Sequence, residues 1–151
     1  MKTNLLIGSA KKIARFVVPY LIIGLTANIL YPGFFKVGGP SDLLQWVSVF
    51  LLFTGVINWV WSAKLILAKV PQQELITAGP FAIVKHPLYT GVAFLIFPWI
   101  GILLNSWLGI VLGIVLYIGS RLYSQEEEKT LALQFGKEWD DYCKKVLLPW
   151  L

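Results

Sequence analysis

A chain of 151 residues with 57% hydrophobic and only 14% charged side chains, and a mean hydropathy of +0.70, is too apolar for a small soluble domain. It reads as a single all-α integral membrane domain over residues 1–151. The net charge of +5 requires no nucleic-acid partner, because orientation in a lipid bilayer and contact with anionic lipid account for it. The lone Cys143 excludes a disulfide framework and a multi-cysteine metal site, so no metal is expected.

Hydrocarbon about 30 Å thick takes roughly 20 apolar residues per helical crossing. The first uncharged run, "FVVPYLIIGLTANILYPGFF" at 16–35, lies between Arg15 and Lys36 and is long enough to cross. The patch before Lys11 is too short for a cleavable signal peptide, so this run is expected to act as its own insertion signal. The second run, "LLQWVSVFLLFTGVINWVWSA" at 43–63, lies between Asp42 and Lys64. A third uncharged stretch, 87–120, would be about 51 Å long as one helix, too long for an ordinary crossing. Asn105-Ser106 near its middle predicts a tight hairpin with helices at about 87–104 and 107–121. A re-entrant hairpin that stops short of the far side fits the same lengths.

From Arg121 to Phe135 neither Gly nor Pro interrupts a run of good helix formers. The fourth helix is therefore expected to continue unbroken out of the membrane until Gly136 stops it. Beyond, Phe135, Trp139, Tyr142, Cys143, Val146 and Leu147 share one face of an amphipathic helix, predicted to lie on the membrane and able to roof a pocket.

Four crossings put twelve of the 13 basic residues, all but Lys36, on one side. By the positive-inside rule both termini, the loop 64–86 and the tail 121–151 are then cytoplasmic. Trp46, Trp59, Trp61, Trp99 and Trp107 fall near the span ends and read as interfacial anchors. Asn28, Asn58, Ser62 and Gln45 read as hydrogen-bond partners between helices, and Cys143 as packing.

Nearly all polar material faces the cytoplasm, so a site is expected there. "KHPLYTG" at 85–91 holds the only histidine. Gly79-Pro80 marks a turn, and Pro87 suits the first turn of a helix. His86 then sits at a helix N-terminus beside Lys85, a seat for an anionic group. Glu126, Glu127 and Glu128 follow on the protruding helix, with the aromatic segment as a lid. A zwitterion fits between these elements: S-adenosyl-L-methionine offers a carboxylate, an ammonium, an adenine and a sulfonium. The patterns alone do not single it out. Plainer readings are that His86 caps its helix and bonds a backbone carbonyl, that the three glutamates form a solvated face paired with Lys129 or Arg121, and that the tail is a membrane anchor.

In these residues the chain resembles the integral-membrane methyltransferase superfamily of isoprenylcysteine carboxyl methyltransferases and bacterial phospholipid methyltransferase-like proteins. That pattern runs Gly-Pro-aromatic, Arg-His-Pro-x-Tyr-x-Gly, a helical hairpin, Glu-Glu with Leu three residues on, Phe-Gly, and a Tyr-rich amphipathic segment ending in Val and Pro. Here "GPF" at 79–81, "KHPLYTG" at 85–91, "EEKTL" at 127–131, "FG" at 135–136 and "WDDYCKKVLLP" at 139–149 follow in that order, so the resemblance covers residues 76–149. It implies a prokaryotic inner-membrane enzyme dependent on S-adenosyl-L-methionine. The implied acceptor is a membrane-borne or apolar small molecule: a prenylcysteine-like carboxylate, a lipid amine, a hydroxyl or a thiol. It further implies a cofactor pocket built from Lys85, His86, Pro87, Tyr89, Gly91, Glu127 and Glu128, with His86 and Glu127 as the catalytic candidates.

Two positions depart from the pattern. Lys85 stands where most members have Arg and lacks the planar fork that grips a carboxylate with two bonds, and Trp139 replaces the more usual Tyr. "WDDYC" is also similar to sterol-reductase-like membrane proteins, which makes NADPH-dependent reduction of an apolar alkene the alternative, with a non-catalytic membrane subunit a third reading. Those reductases usually have Asn before the Tyr and an acidic residue after the Gly; Leu88 and Val92 stand there instead, which favours methyl transfer. In-line displacement at a sulfonium methyl draws most of its acceleration from proximity and desolvation. A base is needed only for an acceptor that carries a proton, with His86 or a glutamate of raised pKa as the candidate.

Overall fold

The computed structural model describes residues 3–38 and 41–150, with side chains from Gly8 onward; Lys2, one of the basic residues counted toward orientation, lies outside them. Among the described residues every regular element is helical. The two longest helices are α1 (Thr3–Leu30) and α3 (Asp42–Lys69), and the segments Gly8–Leu30 and Asp42–Lys69 are long and apolar enough to cross a membrane. α1 ends five residues before the predicted limit at 35. The cause is Pro32: its ring pushes Tyr31 out of the helical region, to φ −130° and ψ 58°, and then opens the one-turn helix α2 (Pro32–Phe35).

α3 is closed at both ends by its own chemistry. Ser41 Oγ accepts from the Leu44 amide at 3.2 Å, Asp42 sits at the positive end of the helix dipole, and Lys69 at the negative end. The helix therefore runs six residues past the predicted 63. It buries only Gly55 and Ser62, while Leu43, Trp46, Phe50 and Phe53 are 62–74% exposed, an apolar surface suited to lipid.

The predicted hairpin is present. Its first leg is α5 (Pro87–Gly91), a π-helical turn (Val92–Ile96) and α6 (Phe97–Leu103); its second is α7 (Leu108–Tyr123). The chain reverses at Asn105, whose φ is 51°. Glycines let the legs touch backbone to backbone: a Cβ on Gly109 would lie 2.2 Å from the Phe97 carbonyl oxygen, and one on Gly113 2.1 Å from that of Ala93. The tip is tied to the α1–α3 connection, since the Trp107 amide donates to Phe35 O and its indole Nε1 to Phe34 O, each at 3.0 Å. Ser106 Oγ donates to Asn28 Oδ1 at 2.8 Å. Trp107 is thus bound within the protein, whereas Trp46 is open. Asn58 Nδ2 donates to Pro87 O at 2.8 Å and joins α3 to the start of α5. Ser62, expected to bond between helices, is fully buried with its hydroxyl unpaired, and Gln45 is exposed.

The predicted continuation of the fourth helix fails. The helix does not continue unbroken to Phe135 but breaks at Ser124, and α8 (Gln125–Phe135) turns by 43°. No Pro or Gly forces this turn. It accompanies side-chain anchoring: Glu126 pairs with Lys12 of α1, not with Lys129 or Arg121, and Glu128 reaches the start of α5. α9 (Lys137–Lys145) follows Gly136, whose φ of 51° suits a glycine. Its apolar face is turned inward: Trp139, Tyr142 and Val146 are 5–6% exposed and pack on Leu75, Leu131 and Phe135, leaving Leu147 exposed. A terminal strap then pairs with the one-turn helix α4 (Pro80–Ile83), through the Leu147 amide to Ala82 O (3.2 Å) and the Leu148 amide to Ile83 O (2.8 Å).

Candidate active site

Where α3, α5, α8 and α9 meet, they line a concave, partly open space with mostly apolar walls and a few convergent polar groups, the form usual for small-molecule sites. His86 and Pro87 enter it because Pro87 begins α5 and fixes the chain direction there; Pro87 is itself fully buried. Tyr89 follows one turn into α5 and also lines the space. α8 contributes Glu127 and Leu131, and α9 contributes Trp139 and Tyr142 as an aromatic roof. Tyr142 is held by its hydroxyl, which donates to Phe81 O at 2.9 Å.

The three glutamates have three different environments. Glu126 is solvent-facing and paired with Lys12, which holds its carboxyl below the usual range. Glu127 is 5% exposed, and its Oε2 has no hydrogen-bond partner. Burial raises its pKa, the nearby His86 pulls it down in part, and Glu128 pushes it up. For Glu128, burial would also raise the pKa, but hydrogen bonds from His86 and Lys85 outweigh it and bring the carboxyl down to about 2. Those bonds run from Lys85 Nζ to Oε2 at 3.0 Å and between His86 Nε2 and Oε1 at 3.1 Å.

Lys85, His86, Pro87, Tyr89, Glu127 and Glu128 are thus brought together, five of them on the cavity wall and Glu128 behind Lys85 and His86. Gly91 is not with them. It faces α3, where a Cβ would lie 2.1 Å from Asn58 Nδ2, so its place is a close helix contact. The cationic mouth expected at Lys85-His86 is already neutralised by Glu128, and the His86 side chain makes no capping bond. Missed from the sequence were the apolar walls Ile66, Val70 and Leu75, which lie on the end of α3 beyond the charge that seemed to bound it and in the loop after it. Their signal was the continued apolar spacing past Lys64.

An S-adenosyl-L-methionine group fits these residues on two counts. The buried, unpaired Glu127 Oε2 calls for a donor such as an ammonium or a hydroxyl, and the rings of Tyr89, Phe135 and Trp139 offer faces to an adenine or a sulfonium. Among the described residues no group of three or more His, Cys, Asp and Glu is placed to hold a metal ion.

Neither a curated protein nor a solved structure matches the chain. A family model does, over residues 45–133, more than half of the chain, from the start of α3 into α8, so that it takes in His86, Glu127 and Glu128 but not the aromatic roof. With an all-helical fold, two apolar helices of membrane-crossing length and this match together, the chain belongs to the isoprenylcysteine carboxyl methyltransferase family, whose activity is methyl transfer at a membrane.

Proposed function

We propose that this chain transfers a methyl group from S-adenosyl-L-methionine to a membrane-borne or apolar acceptor at the cytoplasmic face of a prokaryotic plasma membrane, as one domain. The observation that carries the reading is the buried carboxylate oxygen of Glu127, unpaired in an aromatic-walled cavity. A buried polar atom left without a partner costs about 1–3 kcal/mol, and a cationic donor at that place would recover it. The cofactor supplies an electrophilic methyl on a sulfonium. Glu127 would accept hydrogen bonds from its amino or hydroxyl groups, Tyr89 and Trp139 would wall its apolar parts, and Lys85, held by Glu128, would be the group for its carboxylate. The roof of α9 keeps water out, so that proximity and desolvation do most of the work.

In this reading the hairpin is a full crossing, which makes four spans. Its support is the hydrogen bonding of Trp107 to Phe34 and Phe35, which sets the hairpin tip level with the α1–α3 connection. Both termini and the site are then cytoplasmic, with Lys36 on the far side, and α9 meets the interface only through residues such as Leu147. The test is calorimetric titration of the detergent-solubilised protein with S-adenosylhomocysteine. Saturable micromolar binding, lost in Glu127→Ala and His86→Ala proteins that keep their helicity, is expected; a folded wild type that binds nothing ends the proposal.

A further inference from the structure

Glu128 meets two cationic side chains with different oxygens: Oε2 takes Lys85 Nζ at 3.0 Å and Oε1 faces His86 Nε2 at 3.1 Å. With its pKa at about 2, the carboxyl is ionised at neutral pH. An ionised carboxylate only accepts, so the proton of the shared bond belongs to Nε2, and the other nitrogen of a neutral ring is then a bare lone pair. Among the described residues His86 Nδ1 has no hydrogen-bond partner, while the ring lines the cavity beside Tyr89 and Glu127. The other ionisable groups that feel Glu128 are Glu127, Tyr142 and Cys143. Burial raises the proton affinity of all three, so the phenol and the thiol stay neutral and do not compete for Nε2.

We infer that Glu128 is a positioning residue: with one oxygen held by Lys85 and the other taking Nε2–H, it locks His86 in a single tautomer and leaves Nδ1 as the proton-accepting atom at the cavity. A lysine is what permits this division. Its ammonium is a point donor that occupies one oxygen, whereas a guanidinium would present a planar fork to both and compete with the imidazole. The use of the device rests on the methyl-transfer reading and deepens it. An acceptor bearing N–H, S–H or O–H would pass that proton to Nδ1 as its lone pair bonds the methyl carbon, the carbon–sulfur electron pair would leave with neutral S-adenosylhomocysteine, and Glu128 would stabilise the resulting imidazolium. A carboxylate acceptor has no such proton to lose.

His86 is the only histidine, so ring-¹⁵N-labelled histidine gives two nitrogen signals that need no assignment by mutation. In the full-length protein in detergent, at a pH high enough for a neutral ring, the wild type is expected to show a fully protonated Nε2 and a fully bare Nδ1. Glu128→Gln and Lys85→Arg should move both signals toward one another, toward the exchanging mixture of a free imidazole, with helical circular dichroism retained. A wild-type ring protonated on Nδ1, or already averaged, overturns the inference whether or not either variant folds, and so does a ring that Glu128→Gln leaves unchanged. Adding S-adenosylhomocysteine to the same sample separates the two proposals: a locked tautomer without binding sustains the role of Glu128 and removes only the methyl-transfer use of it.

Discussion

Neighbouring carboxylates in α8 are driven in opposite directions, Glu127 by burial and Glu128 by two cationic partners, and the folded state therefore responds to pH through two terms of opposite sign. Glu128 has a folded-state pKa below its ordinary 4.5. Its contribution is complete above that value and is lost as pH falls from about 4.5 toward about 2. Glu127 has a raised pKa, so the folded state holds its proton longer, and stability declines as pH rises from the ordinary carboxylate value through the raised one. Thermal unfolding in detergent at neutral pH should show Glu128→Gln less stable by about 2 kcal/mol, a figure already discounted for the partial exposure of the pair, and its loss of stability between pH 4.5 and 2 should be shallower than that of the wild type. Glu127→Gln should unfold at a higher temperature than wild type at neutral pH while losing affinity for S-adenosylhomocysteine. That combination is expected of a group held in a costly place for binding; a destabilised Glu127→Gln protein would contradict the burial argument.

The helical hairpin and the roof depend on different kinds of contact. At Gly113 the obstacle to a side chain is the Ala93 carbonyl, which is backbone and cannot swing aside, so Gly113→Leu should splay the legs and cost at least about 2 kcal/mol. Gly8 is the control, because a Cβ there would meet nothing within 4 Å: Gly8→Ala should be neutral or up to about 1 kcal/mol stabilising, since alanine is the better helix former. Thermal unfolding of the two variants side by side checks both. In α9 the anchor is Trp139, buried against Leu131 and Phe135, and Trp139→Ala should loosen the roof. Limited proteolysis is then expected to cut near Gly136 faster than in wild type, and S-adenosylhomocysteine affinity to fall about tenfold, near the 1.4 kcal/mol that such a factor represents.

For the chain as a whole, the arrangement predicts sidedness. In a background with Cys143→Ser, a membrane-impermeant thiol reagent should label Lys36→Cys from the outside of intact cells and Lys69→Cys only after the inner face is opened. Labelling of both from one side would remove the four-span topology. Hydrogen bonds joining the hairpin tip to Phe34 and Phe35 predict that Asn105→Cys behaves like Lys36→Cys; a tip reachable from neither side would point to a re-entrant hairpin instead.

Much of this protein is legible without coordinates, because the bilayer imposes a length and a polarity on each segment. Two helices of membrane-crossing length and apolarity, the turn at Asn105, the stop at Gly136 and the grouping of Lys85 and His86 at a proline-started helix all follow from charge, hydropathy and turn chemistry. Helix ends were less legible where the first flanking charge does not set them, as at Leu30, where Pro32 ends α1 before Lys36 is reached, and at Lys69, to which α3 runs on past Lys64. Only the tertiary structure decided what three consecutive glutamates do. Their order in the chain cannot say that one pairs with α1, one enters a cavity and one joins Lys85 to His86, because that division depends on a 43° turn at Ser124, which no Pro or Gly announces. Local sequence carries the helix itself; the direction of its continuation is a matter of which distant side chains it can reach, and those partners lie 114 and 43 residues away along the chain.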